Sequence, residues 1–147
     1  RAAGRVRLAL RSADPSDAPR MEPGFLEAPK DVALLVQGLR EARRIAATGP
    51  LADLGGQELG PGADAVDDAT LEAWVRRTAT TTYHPVGTCR MGPSSDPMAV
   101  VDAQLRVHGL EGLRVADASI MPNIVSGNTA AASMMIGQRA ASFLLAP

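Results

Sequence analysis

The sequence predicts an α+β fold in which short antiparallel strands accompany helices, and three observations predict it. Residues 4–10, GRVRLAL, alternate Val6, Leu8 and Leu10 with Arg5 and Arg7, the period of a strand with one buried face. Val32, Leu35, Val36, Leu39, Ala42, Ile45 and Ala46 recur at helical spacing, which gives one amphipathic helix. The last twenty residues open on a cap-capable Asn128 or Thr129 and continue as a helix dense in small side chains.

The elements follow in chain order. After the first strand, RSADPSDAPRMEPGFLEAPKD carries four prolines among Ser, Asp and Gly. It reads as an extended connection with no regular element before Asp31. Asp31 is the expected N-cap of the amphipathic helix, which runs to about Ala47, and its polar face of Arg40, Glu41, Arg43 and Arg44 reads as a solvated face. The stretch TGPLADLGGQELGPGADAVDD is rich in Gly and Pro and reads as variable surface. Asp68 is the expected cap of a second helix through about Arg77, with Leu71, Trp74 and Val75 inward. Short strands are expected around AVVD and LRVHG, and LRVADASIMP follows a further turn at LEG.

Composition narrows the function classes. The length of 147 residues suits one domain with one core, large enough to remove roughly two-thirds of its unfolded surface from water. With one Trp, one Tyr and two Phe, the apolar mass is small aliphatic side chains and six Met. A net charge of -1, with both signs interspersed, gives no reason to propose a nucleic-acid partner. One Cys excludes an internal disulfide, and with two His it leaves few ligands for a metal, so no metal is expected. No apolar run reaches the length of a membrane span, and no signal-type hydrophobic region opens the chain, so a cytoplasmic location is the expectation. The first residue is Arg1, not Met, and the true N-terminus is expected upstream of it.

Three features carry possible chemistry. TTYHPVGTCRMGP puts His84, Cys89, Gly87 and Gly92 into one turn-rich segment; VADASIMP holds Asp117; and Asn128 starts the last helix. Each has a bland reading: a satisfied structural histidine, a turn or helix cap, an N-cap. Thr129, Ala130, Ala131, Ala132 and Ser133 leave the first turn of that helix almost free of bulk. Such an end exposes backbone N–H donors to an approaching anion, while tight packing on a sheet favours alanine equally.

Together and in this order, YHPVGTCRMG and LRVADASIMPNIVSGNTAAASMMIGQRAA resemble the C-terminal part of the glucose-methanol-choline family of flavin-dependent oxidoreductases. GRVRLALRSADP and LVQGLREARRIAAT resemble it too, so the likeness extends over residues 1–147 and most closely suggests the bacterial branch of choline and other alcohol dehydrogenases. The resemblance implies a substrate part built on an antiparallel sheet flanked by helices, with the C-terminal helix completing an FAD-binding domain whose N-terminal dinucleotide-binding part lies outside this fragment. It implies FAD as cofactor, a small-molecule alcohol as substrate, and an isolated chain that is inactive. His84 takes the position of the base that accepts the hydroxyl proton while a hydride leaves the same carbon for the flavin. Asn128 takes the second catalytic position, as a hydrogen-bond partner of the substrate oxygen. Asp117 and Ala118 match a pair whose backbone and side chain contact FAD, and Thr129 and Ala130 would lie by the pyrimidine edge of the flavin. Cys89 reads as a small buried hydrophobe, and His108 as structural or surface.

The chain departs from the branch in reading GNTAAAS where GNTNAPT is common, so Ala130 stands for an asparagine and Ala132 for a proline. No G-x-G-x-x-G follows a strand, and little FAD binding is expected of the chain alone. Two other readings stand beside this one. A non-catalytic truncated module, or one half of a split enzyme, accounts for the missing fingerprint. A metal site on His84, Cys89 and His108 lacks paired ligand spacing and ranks last.

Overall fold

Among the described residues, two short strands and four α-helices come from local rules that the chain obeys at some positions and overrides at others. The structure is a computed structural model that describes residues 4–145, so Ala146 and Pro147, at the end of the predicted last helix, lie outside it. Strand β1, Arg7–Ala9, pairs with β2, Arg20–Glu22, in a two-stranded antiparallel ribbon. The alternation in residues 4–10 thus marks a real strand, but its apolar face is open, with Leu10 87% exposed. A ribbon of two strands supplies no second layer of its own to cover that face. The Pro-rich connection was expected to be free of regular structure and instead contains β2, a three-residue element too short to impose a period on the sequence.

The described residues form two compact units, not the single core expected from length. One comprises residues 4–5 and 22–80. Helix α1, Pro29–Ala46, starts with Pro at a first-turn position after an extended Ala28 that makes no side-chain cap. Asp31 lies inside the helix, and its carboxylate accepts the N–H of Gly4 at 2.7 Å, so the expected cap is a long-range tether. Helix α2, Gly49–Asp53, is one short turn within the stretch read as loop. Helix α3, Asp68–Thr78, is capped by Asp67, whose carboxylate accepts from Thr70 N–H at 2.8 Å, one residue before the expected Asp68. Val36, Ala65, Leu71 and Val75 form this unit's core, with Leu71 wholly buried and Leu26, Leu39 and Trp74 packed around it.

The face of α1 read as solvated has a second duty. Arg43 donates to the carbonyls of Ala65 and Gly62 at 2.7 and 2.9 Å and to Glu58 at 3.0 Å. Arg40 reaches Asp68 at 2.6 Å. A guanidinium offers five donors in a rigid fork, so one arginine can satisfy several carbonyls of a loop that has no ladder of its own.

The other unit comprises residues 6–21 and 81–145. The strands expected around AVVD and LRVHG reduce to isolated bridges, Met91 with Val101, Val101 with Val107, and Arg106 with Arg114. Its core gathers Val101, Leu105, Ile120, Met121, Ile136 and Ala140, with Val86, Val115, Ala118, Val125 and Ala132 packed against them. Ile136 and Ala140 come from helix α4, Thr129–Leu145, which packs on a 3-10 turn at Ala118–Ile120. Among the described residues no helix is long and apolar enough to cross a membrane.

Candidate active site

The segment that carries His84 has no helix or strand, so its path is set by what it touches. Tyr83, just before His84, holds a left-handed φ of 60° and is 80% exposed; its N–H is taken by the hydroxyl of Thr81 at 3.0 Å. A non-glycine residue in that region is costly, of order 1 kcal/mol, and persists where surrounding contacts impose it. His84 itself is half-buried. Nothing in the residue types of TTYHP forecast the left-handed turn, although the Thr two places before Tyr83 is a hydroxyl suited to that local bond.

The restraint comes from residues 86–92. Val86 packs against the core. Gly87 has φ +86°, and a Cβ there would stand 3.1 Å from the carbonyl oxygen of Met121. Cys89 N–H donates to Ser119 O at 3.0 Å, and Met91 N–H to Ile120 O at 2.7 Å. Gly92 was expected to serve as a turn residue; its backbone is not left-handed, and what it permits is close approach, since a Cβ would come within 3.0 Å of Ala99 Cβ. His108 fixes the end of this segment, its Nε2–H donating to Gly92 O at 3.1 Å, which is a structural duty. Cys89 is half-buried, not fully buried, and its thiol is free. The Arg90 guanidinium pairs with Asp96.

Gly87→Ala is expected to cost about 1–2 kcal/mol from the left-handed backbone alone. Gly137→Ala is the control: it sits in α4 with nothing within 4 Å of a new Cβ and should stabilise by up to about 1 kcal/mol. Urea midpoints of the two variants check both signs.

Asp117 is exposed and extended, and its carboxylate accepts the N–H of Ser119 at 2.7 Å, capping the 3-10 turn. Hydrogen bonds from the hydroxyl and backbone N–H of Ser119 hold the Asp117 carboxyl below the usual carboxylate range. Ala118 is half-buried, and Asn128 is exposed directly before α4. In the first turn of α4, Thr129 is half-buried while Ala130 and Ala131 are exposed, so its backbone donors face little side-chain bulk.

All six candidate residues lie in one unit, and the same 3-10 turn receives both the His84 segment and α4. Their side chains are not wired together: among the described residues no hydrogen bond joins His84, Asp117 and Asn128. Among those residues no group of three His, Cys, Asp or Glu side chains could hold a metal ion. The carbonyls of Ser119, Ile120 and Met121 face the His84 segment, and no residue type in the sequence marks them for that duty. Backbone acceptors have no residue signature.

A family model of the GMC oxidoreductases matches residues 1–137. The chain is 49% identical over 137 residues to a mitochondrial choline dehydrogenase of Mus musculus, covering 93% of this chain and 23% of that protein. It is 46% identical over 146 residues to a choline oxidase of Arthrobacter globiformis, covering 98% of this chain and 26% of that protein. Among solved structures, an FAD-dependent oxidoreductase from Chaetomium thermophilum superposes with a TM-score of 0.87 at 30% identity, over 95% of this chain and 24% of that one. The chain thus spans about a quarter of the length of the curated relatives it matches.

Proposed function

As the chain belongs to the GMC oxidoreductase family, we propose that it is the C-terminal, substrate-side portion of an FAD-dependent enzyme that oxidises the CH–OH group of an alcohol, with His84 as the base. The observation that carries the reading is one 3-10 turn, Ala118–Ile120, that anchors the His84 segment on one side and α4, with Asn128 ahead of it, on the other.

The donor set fits the flavin side of FAD. Exposed Ala130 and Ala131 leave first-turn N–H groups of a 17-residue helix accessible, and a helix N-terminus favours negative charge of the kind a reduced flavin ring carries. Ala118 and the backbone of Asp117, at the 3-10 turn on which α4 packs, complete the proposed contact surface. The glycine-rich grip for the diphosphate is assigned to the part of the protein outside residues 1–147. When bound, FAD supplies the two-electron acceptor for the hydride that leaves the carbinol carbon.

The chain's own residues handle the proton and the alignment. A neutral imidazole on His84 accepts the hydroxyl proton, so the O–H electron pair can form the carbonyl as the C–H pair departs; a protonated His84 cannot begin the step. Asn128 donates its amide N–H to the substrate oxygen and has no basic lone pair to replace His84. The half-buried position of His84 limits water at the imidazole without enclosing it. Choline-like alcohols are the first substrates to try, with Ala130 in place of the branch's asparagine leaving room for other primary alcohols.

In the complete flavoenzyme, Asn128→Ala should slow anaerobic flavin reduction by roughly tenfold, the worth of one hydrogen bond to the reacting oxygen. FAD content should stay at one per chain. Stopped-flow bleaching of the flavin against alcohol concentration checks it, and an Asn128→Ala enzyme as slow as one lacking His84 would contradict the unequal roles.

A further inference from the structure

We propose that Asp117 is a positioning residue for the His84 segment: its carboxylate sets the 3-10 turn whose carbonyls hold residues 87–91 in place. The functional consequence rests on the reading of His84 as the base, while the bracing itself does not. Three successive carbonyls face that segment. Ser119 O accepts Cys89 N–H, Ile120 O accepts Met91 N–H, and Met121 O would stand 3.1 Å from a Cβ at position 87. These carbonyls point correctly only while residues 118–120 are wound.

Three residues of 3-10 helix wind weakly by themselves. Two bonds hold the winding from within, Ile120 N–H to Asp117 O at 3.3 Å and Met121 N–H to Ala118 O at 3.2 Å, and both are long. The bond from Ser119 N–H to Asp117 Oδ1 at 2.7 Å is shorter and charge-assisted. The same residue then passes the restraint on: Ser119 donates to Asp117 through its N–H and accepts from Cys89 N–H through its carbonyl. His84 is three residues before Gly87 and has no ladder of its own, so its direction depends on that anchorage.

An acceptor at position 117 is what this duty requires, not a charge. Asn and Ser can take the Ser119 N–H, and Ala cannot. A carboxylate whose duty was to touch the cofactor would show the opposite pattern, with FAD affinity as the affected quantity.

The test uses the complete flavoenzyme with Asp117→Ala, Asp117→Asn and Asp117→Ser. Hydrogen exchange by mass spectrometry in the peptide spanning 86–92 should quicken about tenfold in the Ala variant, the typical worth of a capping side chain, and stay near the parent in the Asn and Ser variants. FAD should remain at one per chain throughout, and alcohol-driven flavin reduction should fall about tenfold in Asp117→Ala and recover in Asp117→Asn. Unchanged exchange in Asp117→Ala overturns the proposal. So does loss of FAD in all three variants with exchange at 86–92 unaltered, which would make the carboxylate a cofactor contact. If the Ala variant does not fold, quickened exchange in both Asn and Ser variants overturns it equally. A His84→Ala enzyme that reduces its flavin at the parent rate would sink the assignment of the base, and the exchange data would still decide the bracing.

Discussion

Ile120→Ala is expected to destabilise the protein by about 2–5 kcal/mol, a cost set by the lost transfer energy of the side chain and the cavity left behind. Ile120 is only 4% exposed and shares its core with Ile136 and Ala140 of α4 and with Val101 and Leu105. Its carbonyl also receives Met91 N–H, so the same residue packs the helix and holds the segment after His84. Ile120→Val removes one methylene and should cost only about 0.5–1.5 kcal/mol. Urea titration followed by circular dichroism measures the series. A loss below about 1 kcal/mol for the Ala variant would mean that the site collapses to fill the space, and that α4 does not depend on this contact.

How much of this was legible in the sequence differs by level. The amphipathic stripe gave α1 because Val32, Val36 and Leu39 recur on one face, and the small-residue run gave α4. The caps of α1 and α3 were missed by one or more positions for a local reason, while α4 starts at Thr129 as expected. Asp67 and Asp68 are adjacent carboxylates, and residue type alone cannot say which stands outside the helix. Asp31 looks like a cap, yet Pro29 already starts the helix and the carboxylate is claimed by Gly4 from 27 positions away. Arg43 shows the same limit, since its pairing with Gly62 and Ala65 carbonyls depends on how a loop returns, not on periodicity.

The candidate site was legible as an ordered set of residue types and through its family likeness, not as geometry. His84, Asp117 and Asn128 are spread over 45 positions of sequence, and periodicity says nothing about their meeting. What brings their segments together is a line of backbone bonds, from Cys89 to Ser119 and from Met91 to Ile120, that any side chains could in principle flank. Gly87 was the visible trace, because its positive φ favours a residue without a Cβ and a Cβ there would crowd the Met121 carbonyl at 3.1 Å. The length of the chain suggested one core, whereas α1 with α3, and α4 with the 3-10 turn, each close a core of their own.

The largest expected effect is on chemistry. Replacing His84 with Ala in the complete enzyme should slow flavin reduction by alcohol about 10²–10⁴-fold, the usual contribution of a positioned general base, because the hydroxyl proton then has no acceptor as the hydride departs. The substitution shortens a half-buried side chain in a segment held by backbone bonds at Cys89 and Met91, so the fold should persist. His84→Gln, which keeps a hydrogen-bonding amide but no basic nitrogen, should be slow as well. The most direct measurement is anaerobic single-turnover reduction of the bound flavin, parent against His84→Ala, with choline or another primary alcohol as reductant. Full FAD occupancy is expected in both, with a rate at least a hundredfold lower in the variant. Equal rates at equal FAD content would contradict the assignment of His84 as the base.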